Sequence, residues 1–143
     1  MGLREFLETH HAPAPEGGPR SAIAAWKAAV STLDARFKDV LGKFPQIRLT
    51  DWNVLREHAG VRYNADALTI SFEGADITLE PLAIAPEADI LGRSSLERGV
   101  RQVHLDCATD GALWRYHWVI PHDPAERELT DAAIEEIVEQ LLK

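Results

Sequence analysis

Four ionisable side chains fall on one face of a β-hairpin that the sequence predicts between residues 99 and 120. Two runs of alternating polar and apolar residues flank Asp110-Gly111, a dipeptide typical of a two-residue type I′ turn. Closing the turn there places apolar residues opposite apolar ones and polar residues opposite polar ones. A shift of one residue would destroy this match, so the register is well specified. The polar face of the hairpin carries His104, Asp106, Arg115 and His117.

This polar face is the strongest candidate for chemistry in the chain. The register places His104 opposite His117 and Asp106 opposite Arg115. Two opposed histidines, with Asp106 as a third ligand, could bind a divalent metal or transfer protons near neutral pH. The simpler interpretation is a solvated sheet face with one Asp–Arg pair, worth less than about 1 kcal/mol. Since no HxH, HExxH or CxxC spacing is present, we expect no catalytic residue, no metal and no cofactor.

The opposite face of the same hairpin is apolar and predicts a buried layer. Cys107 is the only cysteine of the chain and lies on this face. We expect its side chain to be buried and unreactive, because apolar surroundings disfavour the reactive thiolate. The layer consists of Val103, Leu105, Cys107, Trp114, Tyr116 and Trp118.

Composition and net charge limit the classes of protein to which this chain can belong. A chain of 143 residues with 45% apolar content is expected to form one globular domain. The net charge of −8 argues against a nucleic-acid partner, because such binding depends on clustered lysine and arginine. No apolar run is long enough to cross a membrane, and no signal peptide is recognisable. The single cysteine fits a reducing compartment, so we expect a cytoplasmic location.

The first part of the chain predicts a flexible arm followed by a long helix. Residues 1–19 end in a stretch rich in proline and glycine, so we expect an arm and linker before a single α+β domain over residues 20–143. The next segment has apolar residues at helical spacing, with Ser21 as N-cap and an end near residue 43. So regular a stripe would also permit a homodimer, but packing on a sheet is favoured because the charge pattern of a coiled coil is absent. The stripe consists of Ile23, Trp26, Val30, Leu33, Phe37, Val40 and Phe44.

The middle of the chain is less regular. Residues 46–63 fit two interpretations. The favoured one is a strand followed by a short helical turn that Gly60 closes, and the other is one long bulged strand from Ile47 to Glu57.

A second hairpin follows over residues 67–80. Polar and apolar residues alternate on both sides of Gly74-Ala75, which predicts a type II′ turn at this dipeptide. The turn would pair Ile70 with Leu79 and leave the apolar residues of both strands on one face.

The chain after this hairpin predicts a loop and, at its end, a helix. Pro81 ends the ladder because proline has no N–H to donate, and residues 81–98 then form a long connection. After the β-hairpin of residues 99–120, residues 122–124 break the strand. The last helix begins after Thr130 as N-cap. Its apolar stripe consists of Ile134, Ile137, Val138, Leu141 and Leu142.

These elements together predict an α+β fold. We expect an antiparallel sheet of about five strands built from hairpins, with the long N-terminal helix and the C-terminal helix packed on one face. In the order of its elements, the chain resembles the secretion-chaperone-like fold and other small partner-binding proteins.

The preferred functional hypothesis is a non-enzymatic cytoplasmic module that binds another protein, in the manner of an immunity protein, antitoxin or secretion chaperone. The acidic balance predicts a basic partner. Trp52 has no clear apolar partner in its segment, so we expect it at the binding surface, together with the loop carboxylates Glu87, Asp89 and Glu97. The alternative is a small enzyme or ligand- or metal-binding domain that uses the polar hairpin face.

Overall fold

The described residues form two helices and seven strands. The computed structural model describes residues 18–86, 89–109, 111 and 113–143. The seven strands form one antiparallel sheet in which each strand pairs with the next one in the chain. The α+β class is therefore confirmed, whereas the expected number of about five strands is wrong. The elements are α1 (Gly18–Leu41), β1 (Arg48–His58), β2 (Val61–Phe72), β3 (Ala75–Ile84), β4 (Ile90–Arg98), β5 (Arg101–Ala108), β6 (Trp114–Ile120), β7 (Asp123–Glu128) and α2 (Asp131–Leu142).

Helix α1 buries the apolar stripe that the sequence predicts. Every member of the stripe up to Val40 is buried, and Phe44 lies partly buried beyond the helix end. The helix already includes Gly18 and Pro19, so Ser21 lies inside it and is not its N-cap. Proline is tolerated in a first helical turn, where the backbone N–H groups have no intrahelical partner. Residues 1–17 of the predicted arm lie outside the described residues.

Strand β1 corrects the favoured interpretation of residues 46–63. It pairs with β2 over its whole length, from Arg48 opposite Ser71 to His58 opposite Val61, without a bulge. The long strand was the second alternative, and the helical turn is wrong. Ala59 and Gly60 both have positive φ angles, 50° and 80°, and make the tight turn between the two strands.

The turn between β2 and β3 lies one residue earlier than predicted. Its two central residues are Glu73 and Gly74, with φ angles of 48° and 83°, which is the combination that a type I′ turn needs. As a result Ile70 pairs with Ile77 and not with Leu79. The predicted division into faces survives, because the shift in pairing is an even number of residues.

The predicted long loop over residues 81–98 is wrong. Strand β3 continues through Pro81 to Ile84, and β4 occupies residues 90–98. The β2–β3 ladder ends at the pair Leu68–Leu79, and a bulge follows Pro81 on the side of β4. A proline is tolerated at such a place because the missing N–H removes no regular ladder hydrogen bond.

The β5–β6 hairpin has the predicted register. Asp106 pairs with Arg115 and His104 with His117, and Cys107 is fully buried as expected. Gly111 has a φ angle of 79°. The other predicted turn residue, Asp110, lies outside the described residues.

The C-terminal segment contains a strand that the sequence reasoning missed. Strand β7 pairs with β6 after a short turn, so the expected strand break at residues 122–124 is only a reversal of chain direction. The N-cap of α2 is confirmed, since the side chain of Thr130 accepts a hydrogen bond from the backbone N–H of Ala133 at 3.0 Å. The preceding Leu129 and the helical Ile134 are both buried against the core.

Both helices contact β3 and β4 as well as each other. The expectation that they cover the same face of the sheet stays a prediction.

Two arginines hold the C-terminal end of α2. Arg101 donates hydrogen bonds to the carbonyl oxygens of Gln140 and Leu141 at 2.6 and 2.7 Å, and Arg98 donates one to that of Leu141 at 2.9 Å. These bonds satisfy carbonyls that have no partner within the helix and hold α2 against the β4–β5 turn.

Candidate functional site

The polar hairpin face has the predicted strand register, but the ion pair of Asp106 is not the predicted one. The rings of His104 and His117 meet edge to face, with centroids 5.4 Å apart. Asp106 is 5% exposed and forms no ion pair with Arg115, although the two residues are opposite each other in the β5–β6 ladder. Arg115 is exposed and forms no ion pair within the described residues. The partner of Asp106 is Arg93 on the other neighbouring strand, β4.

The Arg93–Asp106 pair is a bidentate, largely buried ion pair. Nε of Arg93 donates to Oδ1 of Asp106 at 2.7 Å, and Nη2 donates to Oδ2 at 3.1 Å. Paired donors of this geometry orient a carboxylate strongly. The prediction of an exposed Asp106–Arg115 pair worth less than about 1 kcal/mol is therefore wrong. Because the pair that forms is largely buried, removing one of its two residues would leave an uncompensated charge in the interior. The sequence placed Arg93 in a loop, which concealed this contact.

Glu126 of β7 joins the same cluster. Between the pairs Tyr116–Arg127 and Trp118–Asp123, β6 has one residue and β7 has three, so the ladder is irregular there. Such irregularities change the direction in which a side chain points. A ligand atom of Glu126 lies within 4.8 Å of one on Asp106 and of one on His117.

An open groove, which we call the β6–β7 groove, is lined by two members of this cluster, His117 and Glu126, and lies beside the buried Asp106. Its volume is about 500 Å³. Asp106 and His117 were singled out in the sequence, whereas the contribution of β7 was missed because its strand was missed. The groove is lined by Arg93, His117, His122, Pro124 and Glu126.

The four residues predicted to bind a partner are not brought together. Trp52 is half-buried on β1 and packs against the core, with Ala67 opposite it on β2. Glu97 is half-buried on β4 and accepts a hydrogen bond from Gln102 at 2.7 Å. Asp89 is exposed just before β4, and Glu87 lies outside the described residues. The loop that was expected to present the carboxylates is mostly strand.

The acidic charge is concentrated in β7 and α2. Residues 123–143 carry seven carboxylates and two basic side chains, a net charge of −5 out of −8. Residues 18–122 carry thirteen acidic and twelve basic side chains, so they are nearly neutral. We call the β7–α2 carboxylates the C-terminal acidic surface: Asp123, Glu126, Glu128, Asp131, Glu135, Glu136 and Glu139.

Internal ion pairs neutralise only part of this surface. Residues 124–128 are all exposed, and β7 is an edge strand of the sheet. Within the described residues, Glu126, Glu128 and Glu136 form no ion pair. The pairs that do form are Arg36–Asp131 at 3.0 Å, Lys43–Glu135 at 3.1 Å, Arg127–Asp123 at 3.6 Å and Lys143–Glu139 at 3.1 Å.

A further carboxyl group, that of Asp34, is buried beneath α1. It is 4% exposed, and its Oδ2 has no hydrogen-bond partner within the described residues. Burial raises the pKa of Asp34 to about 7, assisted by the negative charges of Asp66 on β2 and Asp51 on β1 and opposed by Lys38. The ammonium group of Lys38 is itself held by Asp51 at 2.6 Å. Asp34 is therefore a neutral acid in the folded protein over most of the acidic pH range.

No family model, curated protein or solved structure matches this chain. Among the described residues, no helix is long and apolar enough to cross a lipid bilayer. Function is therefore inferred from the two features that stand out in the structure, the C-terminal acidic surface and the β6–β7 groove.

Proposed function

We propose that this protein is a non-enzymatic module that captures a basic segment of a partner protein on its C-terminal acidic surface. The observation that carries the proposal is the segregation of charge. Twenty-one residues hold a net charge of −5, while the preceding 105 residues of the fold are close to neutral. A surface that only had to be well solvated would not need its charge gathered at one edge.

The edge position of β7 supports the same function. An edge strand leaves backbone N–H and C=O groups unpaired, and an extended segment of another protein can bind to them. Residues 124–128 are exposed along this edge. Carboxylates beside an open strand edge favour an incoming segment that carries lysine or arginine.

Helix α2, which carries four of the seven carboxylates, is anchored at both ends, and such anchoring lowers the conformational entropy that binding must remove. Arg98 and Arg101 fix the C-terminal end of α2 through its last carbonyl oxygens. At the other end, the ion pair between Arg36 and Asp131 joins α2 to α1. Glu136, which forms no ion pair within the described residues, is therefore presented from an anchored helix.

The test uses a synthetic peptide of alternating lysine and valine, with a serine–valine peptide as the uncharged control. Its association rate with the immobilised full chain is measured as the ionic strength rises from about 0.1 M to 1 M, where the Debye length falls from about 10 Å to about 3 Å. We expect the rate to fall several-fold, because electrostatic steering is screened.

Backbone amide shifts in nuclear magnetic resonance spectra locate the bound peptide. We expect shifts confined to β7, α2 and their immediate neighbours. A salt-independent rate, equal binding of the serine–valine peptide, or shifts centred on β1 at the opposite edge would overturn the proposal.

A second candidate function, metal or ligand binding on the polar hairpin face, is favoured by the cluster of Asp106, His117 and Glu126. This cluster shares only Glu126 with the C-terminal acidic surface.

A further inference from the structure

We propose that the β6–β7 groove binds a divalent transition-metal ion through Asp106, His117 and Glu126. The three residues come from the neighbouring strands β5, β6 and β7, and each offers one ligand atom. These atoms all lie within 4.8 Å of one another. Ligands of a zinc ion lie about 2.0–2.2 Å from the metal and hence up to roughly 4 Å apart, so a small side-chain rotation brings all three onto one ion.

The surroundings of the three ligands are those of a metal centre. Arg93 orients the carboxylate of Asp106 with two hydrogen bonds, as outer residues commonly do for a metal-binding carboxylate. Each of the two carboxylate oxygens keeps a second lone pair that can face a metal ion. The ring of His104 packs edge to face on His117 and restricts its orientation.

The charge of the groove favours a cation. The positive charge of Arg93 is matched by Asp106 at 2.7 Å. Glu126 then adds a second carboxylate that forms no ion pair within the described residues, next to an imidazole that can donate a lone pair. A bound cation would compensate this charge and use that lone pair.

The donor set indicates the class of metal. One imidazole nitrogen with two carboxylate oxygens suits Zn²⁺, Mn²⁺ or Fe²⁺, whereas Ca²⁺ and Mg²⁺ prefer oxygen ligands alone. The groove is open to solvent, so water can complete the coordination. His122 lines the same groove.

The test titrates the full chain, first freed of metal with a chelator, with zinc chloride and separately with manganese chloride by calorimetry at neutral pH. We expect one ion to bind per chain. His117→Asn and Glu126→Gln should each weaken binding by about tenfold or more. Asp106 is not varied, because it is buried in an ion pair and its loss would disturb the fold.

Matched variants on β1 and at the N-terminus control for adventitious binding. His58→Asn and Glu57→Gln carry the same substitutions on the opposite edge strand and should leave the affinity unchanged. Replacing His10 and His11 by alanine should also leave it unchanged. Absence of binding by both metals, undiminished binding by the His117 and Glu126 variants, or loss of binding on replacement of His10 and His11 would overturn the proposal. Because His117→Asn leaves every carboxylate of the C-terminal acidic surface in place, failure of metal binding is distinguishable from failure of peptide capture.

Discussion

The indole ring of Trp26 lies directly against the backbone of Gly92. A Cβ atom at position 92 would stand 2.5 Å from Cε3 and 2.6 Å from Cζ3 of the ring, closer than atoms can approach without moving. The same ring contacts Trp114, with centroids 5.8 Å apart. This contact seats α1 on β4 immediately beside Arg93, so the packing of the core and the position of the groove residues are connected.

We predict that Gly92→Ala lowers the free energy of unfolding by about 2–3 kcal/mol, the cost of forcing atoms into a packed core. Urea denaturation followed by tryptophan fluorescence measures it. In a Trp26→Leu background the same glycine change should cost much less, because the clashing ring is absent. A Gly92→Ala protein as stable as the wild type would contradict the close contact.

Because Asp34 is buried, we predict that the free energy of unfolding falls as pH rises and its carboxyl group ionises. The pKa of Asp34 is raised to about 7 in the folded state, above its ordinary value of 3.8. Below pH 3.8 the carboxyl is protonated in both states. Between these two values the unfolded chain loses its proton while the folded chain keeps it, so the unfolded state gains stability.

Relative to the Asp34→Asn variant, we therefore expect the wild-type unfolding free energy to fall by about 2–4 kcal/mol between pH 4 and pH 8. The comparison cancels the titration of all other groups that the two proteins share. Asp39→Asn, which changes an exposed carboxylate on the same helix, should retain the wild-type dependence. Parallel curves for the wild type and Asp34→Asn would show that Asp34 is ionised in both states.

Cys107 should react with thiol reagents only when the protein opens. Its side chain is fully buried in the sheet. We expect labelling in native buffer to be slower than in denaturant by orders of magnitude, with a rate that rises with added urea. Cys107→Ser should cost about 1–3 kcal/mol, since it places a hydroxyl in the core. Rapid labelling of the native protein would contradict its burial.

The sequence predicted the elements whose side chains alternate regularly and missed those that break the pattern. The β5–β6 register followed from matched faces, and α2 followed from its cap at Thr130. Strand β4 was missed because Gly92 and Ser94 occupy inward positions where apolar residues were expected, and Trp26 fills the space over Gly92. Strand β7 was missed because its exposed polar residues carry no apolar alternation.

The candidate groove was predicted only in part for the same reason. Asp106 and His117 lie on the hairpin whose register was readable. Arg93 and Glu126 lie on the two strands that were not recognised, and contacts between strands cannot be assigned before the strands are. The sequence predicted the net negative charge of the protein but not where on its surface the charge is concentrated, because that location depends on β7 being an edge strand.

A matched charge reversal tests the central claim, capture of a basic partner on the C-terminal acidic surface. The double variant Glu128→Lys/Glu136→Lys is compared with Asp39→Lys/Glu57→Lys, which changes the net charge equally with exposed residues of α1 and β1. The measurement is the association rate of the lysine–valine peptide at low ionic strength. We predict a decrease of about tenfold for the first variant and little change for the second. Equal decreases for the two variants would show that the net charge of the protein, and not this surface, attracts the peptide.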